Sequence, residues 1–139
     1  MNTELFDIKI RAVKGGVTAA AGFKAAGIHA GFRKNPERLD YALVVPDKPC
    51  PGAGVFTTNR FCAAPVQVSR ANLGGADKGY GIIAGVSVNS GNANAATGET
   101  GLACARETCS IASQVIGCEP QQILVASTGV IGQILPDRK

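Results

Sequence analysis

Residues 99–117 are the one stretch of this chain with convincing helical periodicity, and they lie between two short apolar runs, 82–88 and 123–126. Leu102, Ala105, Cys109, Ala112, Val115 and Ile116 recur near helical spacing, Arg106, Glu107 and Gln114 face outward, and Gly117 supplies a stop. Thr97 and Thr100 are the cap candidates at the other end. An order of strand, polar loop, helix and strand requires an α/β layer, with the segment after the last strand at a carboxyl edge, where open sheets usually bind ligands. That segment is Ser127-Thr128-Gly129. Two hydroxyls beside a glycine give a turn whose backbone N–H groups can point outward together, the arrangement that holds an anion or a developing oxyanion. By itself the same tripeptide also serves as a plain connecting turn.

The 139 residues amount to one domain's worth of chain. Gly and Ala are abundant and Trp is absent, so the core is expected to consist of small and β-branched aliphatics in close contact. A net charge of +4 comes from scattered basic residues with no interleaved aromatics, which disfavours nucleic acid binding. The five cysteines, Cys50, Cys62, Cys104, Cys109 and Cys118, include no Cys-x-x-Cys pair, stand beside no histidine and are odd in number, so they read as reduced and mostly buried small hydrophobes. No metal set and no cofactor motif emerges. The acidic start lacks the apolar core of a signal peptide and no run approaches a membrane span, so a cytoplasmic location is expected.

In chain order, residues 8–17 read as a strand or extended arm closed at Gly15-Gly16. Glycines at 22, 27 and 31 favour extended structure over 20–32. His29 is the sole histidine, with no adjacent nucleophile or acid, and reads as structural. Residues 35–40 form a polar turn before a strand at 41–45 that Pro46 ends; 49–52 is a second turn and 53–58 a short strand leading to Asn59. Thr57, Thr58 and Asn59 are weak site candidates. Residues 64–69 alternate like a half-exposed strand, and 71–81 is a glycine-rich loop. The block Asn89 to Gly98 is too long and polar for a hairpin, and Asn89, Asn92 and Asn94 are expected to bond the loop internally in support of a site.

Five blocks carry a resemblance: Gly22-Phe-Lys-Ala-Ala-Gly-Ile28, Gly54-Val-Phe-Thr-Thr-Asn59, Ala63-Ala-Pro-Val66, Val88-Asn-Ser-Gly-Asn-Ala-Asn-Ala95 with Thr97-Gly98, and Ser127-Thr-Gly-Val-Ile-Gly132 with Leu135-Pro136. In this order they resemble the amino-terminal part of the glutamate N-acetyltransferase / ornithine acetyltransferase family of arginine biosynthesis, the ArgJ type. The resemblance implies an α/β fold of layered sheet and helices with only its amino-terminal part present. It implies a precursor that cuts itself before a threonine, leaving an α chain and a β chain associated as a hetero-oligomer. The freed threonine takes acetyl from N-acetylornithine and passes it to glutamate, and some members also use acetyl-CoA. Thr128 and Gly129 map onto the oxyanion hole.

The chain reaches Lys139 without the Ala-Thr cleavage segment of the family. Ala96-Thr97 sits in the Asn-rich loop and is rejected as the nucleophile. The resemblance then implies that residues 1–139 are an amino-terminal α-chain domain short of the self-cleavage site, its remainder lying elsewhere. Smaller departures are Ala96, where cysteine is common, and Asp137, where methionine often follows the proline. A non-catalytic scaffold or ligand-binding fragment is the alternative function, while one histidine and no nucleophile elbow argue against a free-standing hydrolase.

Overall fold

In the computed structural model, which describes residues 12–75 and 77–135, the two apolar runs flanking the helix contribute neighbouring parallel strands. The elements are β1 (Phe23–Ile28), β2 (Tyr41–Pro46), β3 (Cys50–Ala53), α1 (Ala64–Asn72), β4 (Tyr80–Ile83), β5 (Gly85–Asn92), α2 (Gly98–Ile116) and β6 (Ile123–Val130). Single 3-10 turns lie at Gly16–Ala19 and Pro120–Gln122. A four-stranded mixed sheet runs β1-β2-β5-β6, antiparallel except for the last pair, and β3 pairs with β4 in a small second sheet. The parallel β5–β6 pair needs a crossover, and α2 is that crossover.

Strand alternation gives the main sheet two different faces. Leu43, Ser87 and Val125 stand in register on one, and both helices pack there: Ala64 and Val68 of α1, Ala105, Cys109 and Ala112 of α2, and Ile123 and Val125 of β6 form the core. These side chains are small, so the helices can lie close to the sheet. On the opposite face the register aligns Ala42, Val44, Val86, Val88, Leu124 and Ala126. No helix among the described residues covers that face, and its side chains are half-buried or exposed.

Several expectations are corrected. Residues 64–69 are helical, because Ala64, Val68 and Ser69 are buried at helical spacing and Pro65 sits in the first turn, where its missing N–H costs nothing. Residues 50–53 form β3 in place of a turn; Pro51 is tolerated because, among the described residues, β3 pairs with β4 alone. The strand expected at 53–58 keeps only Ala53, since Thr57 Oγ1 and Asn59 Oδ1 accept the N–H groups of Asn59 and Phe61 in local turns. The 82–88 run belongs to two strands: the chain changes sheets at buried Ala84, whose N–H donates to the Gln122 carbonyl at 2.8 Å.

Helix α2 matches its expectation within a residue at each end, with Thr97 as N-cap, although Val115 is 75% exposed and Ser113 is buried instead. All five cysteines are free, but only Cys109 is buried; the rest are half-buried, against the expectation of mostly buried thiols. Burial pushes the Cys109 thiol up to about 11, partly offset by the Asn72 amide. Of the arm at 8–17, residues 8–11 lie outside the described residues, and the Gly15-Gly16 punctuation becomes the first 3-10 turn.

Candidate functional site

Ser127, Thr128 and Gly129 occupy the carboxyl end of β6. The tripeptide was expected as a turn, yet it is strand, because β5 continues alongside it: Asn89 pairs with Ser127, Ser90 with Thr128 and Gly91 with Gly129. Serine and threonine fit a ladder well, and the chain bends only at Ile131 and Gly132. The pairing is irregular just past this point, where Asn92 is matched with both Thr128 and Val130. Thr128 and Gly129 are exposed, and alternation along β6 puts Thr128 on the uncovered face with Leu124 and Ala126.

The Asn-rich block closes around this strand end as expected. Asn89 Nδ2 donates to the Asn92 carbonyl at 2.8 Å, and Asn92 Nδ2 donates to the Gln133 and Ile134 carbonyls at 2.9 and 3.2 Å. Asn92 Oδ1 accepts the Asn94 N–H at 2.7 Å. Fully buried Asn94 donates to the Gly101 carbonyl and accepts from the Thr97 hydroxyl, fastening the loop to the first turn of α2. The Ala93 N–H to Val130 carbonyl and Gly132 N–H to Ala95 carbonyl bonds complete the clasp. The asparagines thus bond protein, and the segments leaving Thr128-Gly129 are held on both sides.

Sequence reasoning missed Asp40, which ended a polar turn there. It is 2% exposed and holds the β1–β2 connection: Ala30 N–H donates to Oδ1 at 2.6 Å and Arg33 N–H to Oδ2 at 2.7 Å. Burial raises its pKa, but those two N–H groups, the His29 ring and the Phe32 N–H outweigh it, leaving the carboxyl below its ordinary 3.8. His29 Nδ1 lies 3.3 Å from Asp40 Oδ2 and 3.1 Å from the Arg38 carbonyl, consistent with its structural reading. Thr57, Thr58 and Asn59 lie in an exposed loop occupied with its own turns. Among the described residues no cluster of three His, Cys, Asp or Glu side chains could hold a metal ion, and no helix is long and apolar enough to cross a membrane.

This architecture is that of solved ornithine acetyltransferase-type structures. The arginine biosynthesis bifunctional protein ArgJ from Bacillus halodurans superposes with a TM-score of 0.78 at 37% identity, over 88% of this chain and 61% of that one. Ornithine acetyltransferase from Mycobacterium tuberculosis, solved with ornithine, gives 0.75 at 39% identity, over 87% and 63%. The ArgJ family model matches residues 24–139, and the chain belongs to the ArgJ family. The arginine biosynthesis bifunctional protein ArgJ of Dehalococcoides mccartyi is 46% identical over 123 residues, covering 88% of this chain and 29% of that protein. The chain therefore spans about three tenths of the length of the curated relatives it matches.

Proposed function

We propose that this chain supplies the oxyanion-binding side of an ornithine acetyltransferase, working with a β chain from the same precursor in an α/β hetero-oligomer. The observation that carries the reading is the placement of Thr128 and Gly129, adjacent and exposed at the carboxyl end of a parallel strand, with Thr128 on the sheet face that no helix covers. Family membership supports the chemistry. The uncovered face supports a partner, since an apolar sheet surface is stabilised when another layer closes over it.

The nucleophile in this reading is a threonine at the amino terminus of the β chain. Its Oγ attacks the acetyl carbonyl of N-acetylornithine while its proton passes to a base, and the carbonyl oxygen takes the negative charge. The Thr128 hydroxyl and the Gly129 N–H donate to that oxygen, and both donors stand in place before charge develops. Collapse breaks the C–N bond, and ornithine leaves carrying the proton. The amine of glutamate then attacks the acetyl ester, N-acetylglutamate departs, and the threonine oxygen recovers its proton. Acetyl-CoA as a second donor would enter through the same ester. The chemistry asks nothing of a metal or cofactor.

Acetyl transfer from N-acetylornithine to glutamate by the complete protein tests the reading, with intact-mass measurement to find a second chain beginning with threonine. Thr128→Ala should lower kcat at least tenfold with an unchanged circular dichroism spectrum; removing one such donor typically costs about 10²–10³ in rate. An unchanged kcat overturns the oxyanion assignment. No transfer by the wild-type protein leaves a scaffold without chemistry.

A further inference from the structure

Three backbone segments nest against one another behind the Thr128-Gly129 pair. A β-carbon at Gly129 would collide with the backbone of Gly91 and Asn92, so β6 runs against β5 here at a separation that only glycine permits. A β-carbon at Gly91 would in turn lie 2.9 Å from the Phe32 carbonyl oxygen and 3.0 Å from Arg33 Cγ. The order of contact is therefore the 31–33 loop, then Gly91, then Gly129. The loop is itself held from one place: the Asp40 carboxylate accepts the N–H groups of Ala30 and Arg33, and the Asp40 carbonyl accepts the Ser90 N–H at 2.8 Å. Arg33 Nε closes the circuit by donating to Ser90 Oγ at 3.1 Å. Asp40 thus grips both the loop that backs Gly91 and the residue preceding it.

We propose that Asp40 and Gly91 are positioning residues for acetyl transfer, fixing the Gly129 backbone where the oxyanion forms by bracing β5 against the 31–33 loop. Neither touches substrate. The proposal rests on the acetyl-transfer reading above and adds residues to it that the tripeptide does not contain. A misplacement of about 1 Å at a reacting centre is enough to lower a rate a hundredfold, so a brace this close has leverage over the donor. Asparagine at position 40 can accept one of the two N–H groups but turns its own NH2 toward the other, which loosens the loop at nearly constant volume. Alanine at 91 presses on the Phe32 carbonyl and pushes β5 off its seat.

The experiment uses the complete protein and counts acetylatable sites. Quenched reactions with N-acetylornithine are weighed by intact mass, and kcat is expressed per site that becomes acetylated. A residue that merely supports folding reduces the number of such sites and leaves the rate at each unchanged. Asp40→Asn and Gly91→Ala should lower per-site kcat about tenfold with KM for N-acetylornithine within twofold. Ser90→Ala, which removes only the Arg33 contact from a half-buried side chain, should lower it about two- to fivefold and provides the readout if either stronger variant fails to fold. Wild-type per-site kcat in Ser90→Ala and in each stronger variant that folds overturns the proposal while leaving the acetyl-transfer reading intact. A wild-type protein that is never acetylated overturns both.

Discussion

Gly129 has φ +137, a conformation that side-chain-bearing residues rarely adopt, and its missing β-carbon faces the backbone of the neighbouring strand. Alanine there must both strain its own backbone and separate β5 from β6. Gly129→Ala is expected to lower unfolding stability by on the order of 3 kcal/mol, read from the urea midpoint, and a loss below ~1 kcal/mol would show that the strands part without resistance. Asp40 gives a pH-dependent counterpart. Its folded pKa lies below the ordinary 3.8, so between the two values the unfolded chain holds the proton that the folded chain lacks. The carboxylate's contribution is complete above the unfolded value and disappears as pH falls through the folded one. The gap in urea midpoint between wild type and Asp40→Asn should accordingly narrow as pH falls from about 5 to below about 4. A gap that widens over that interval contradicts the assignment of Asp40 as a charged clamp.

Strand β6 lies at the edge of its sheet, and α1 closes that edge with side chains. Ser69 Oγ accepts the Val125 N–H at 2.9 Å and donates to the Val125 carbonyl at 2.8 Å, while Asn72 Nδ2 donates to the Ile123 carbonyl at 2.7 Å. A helix therefore occupies the backbone groups another strand would otherwise use, which protects the edge. Ser69→Ala leaves a buried N–H and carbonyl unpaired and should cost about 2 kcal/mol in urea unfolding; a loss within ~0.5 kcal/mol would mean that the edge carries no such load. The same helix shows why part of the fold was illegible. Residues 64–69 alternate apolar and polar over too short a run to separate a strand from a helix, and what decides the matter is the distant pairing of Ser69 and Asn72 with β6. Helix α2, at 19 residues, needed no such context, because its periodicity repeats over several turns. Asp40 was illegible for the same reason as α1: nothing in the sequence announces that its carboxylate gathers N–H groups seven and ten positions back.

For the molecule as a whole, the legible parts were those set by local chemistry: the small-residue core and the internally bonded asparagines. The open sheet face was not among them. Ala42, Val44, Val86, Val88, Leu124 and Ala126 sit in strands whose other faces carry Leu43, Ser87 and Val125, and a near-continuous apolar strand reads as buried on both sides. The described residues bury one side only. In the proposed assembly the β chain covers the other, which brings its threonine toward Thr128 along the face the two chains share. Leu124 is half-buried on this surface, so Leu124→Lys leaves the helix-side core in place but puts an ammonium group under the covering layer. The variant should retain the helical and strand signals of this chain in circular dichroism, yet lose the β chain on size-exclusion chromatography and lose acetyl transfer with it. Lysine accommodated in a fully associated and active protein would move the contact between the chains to another surface.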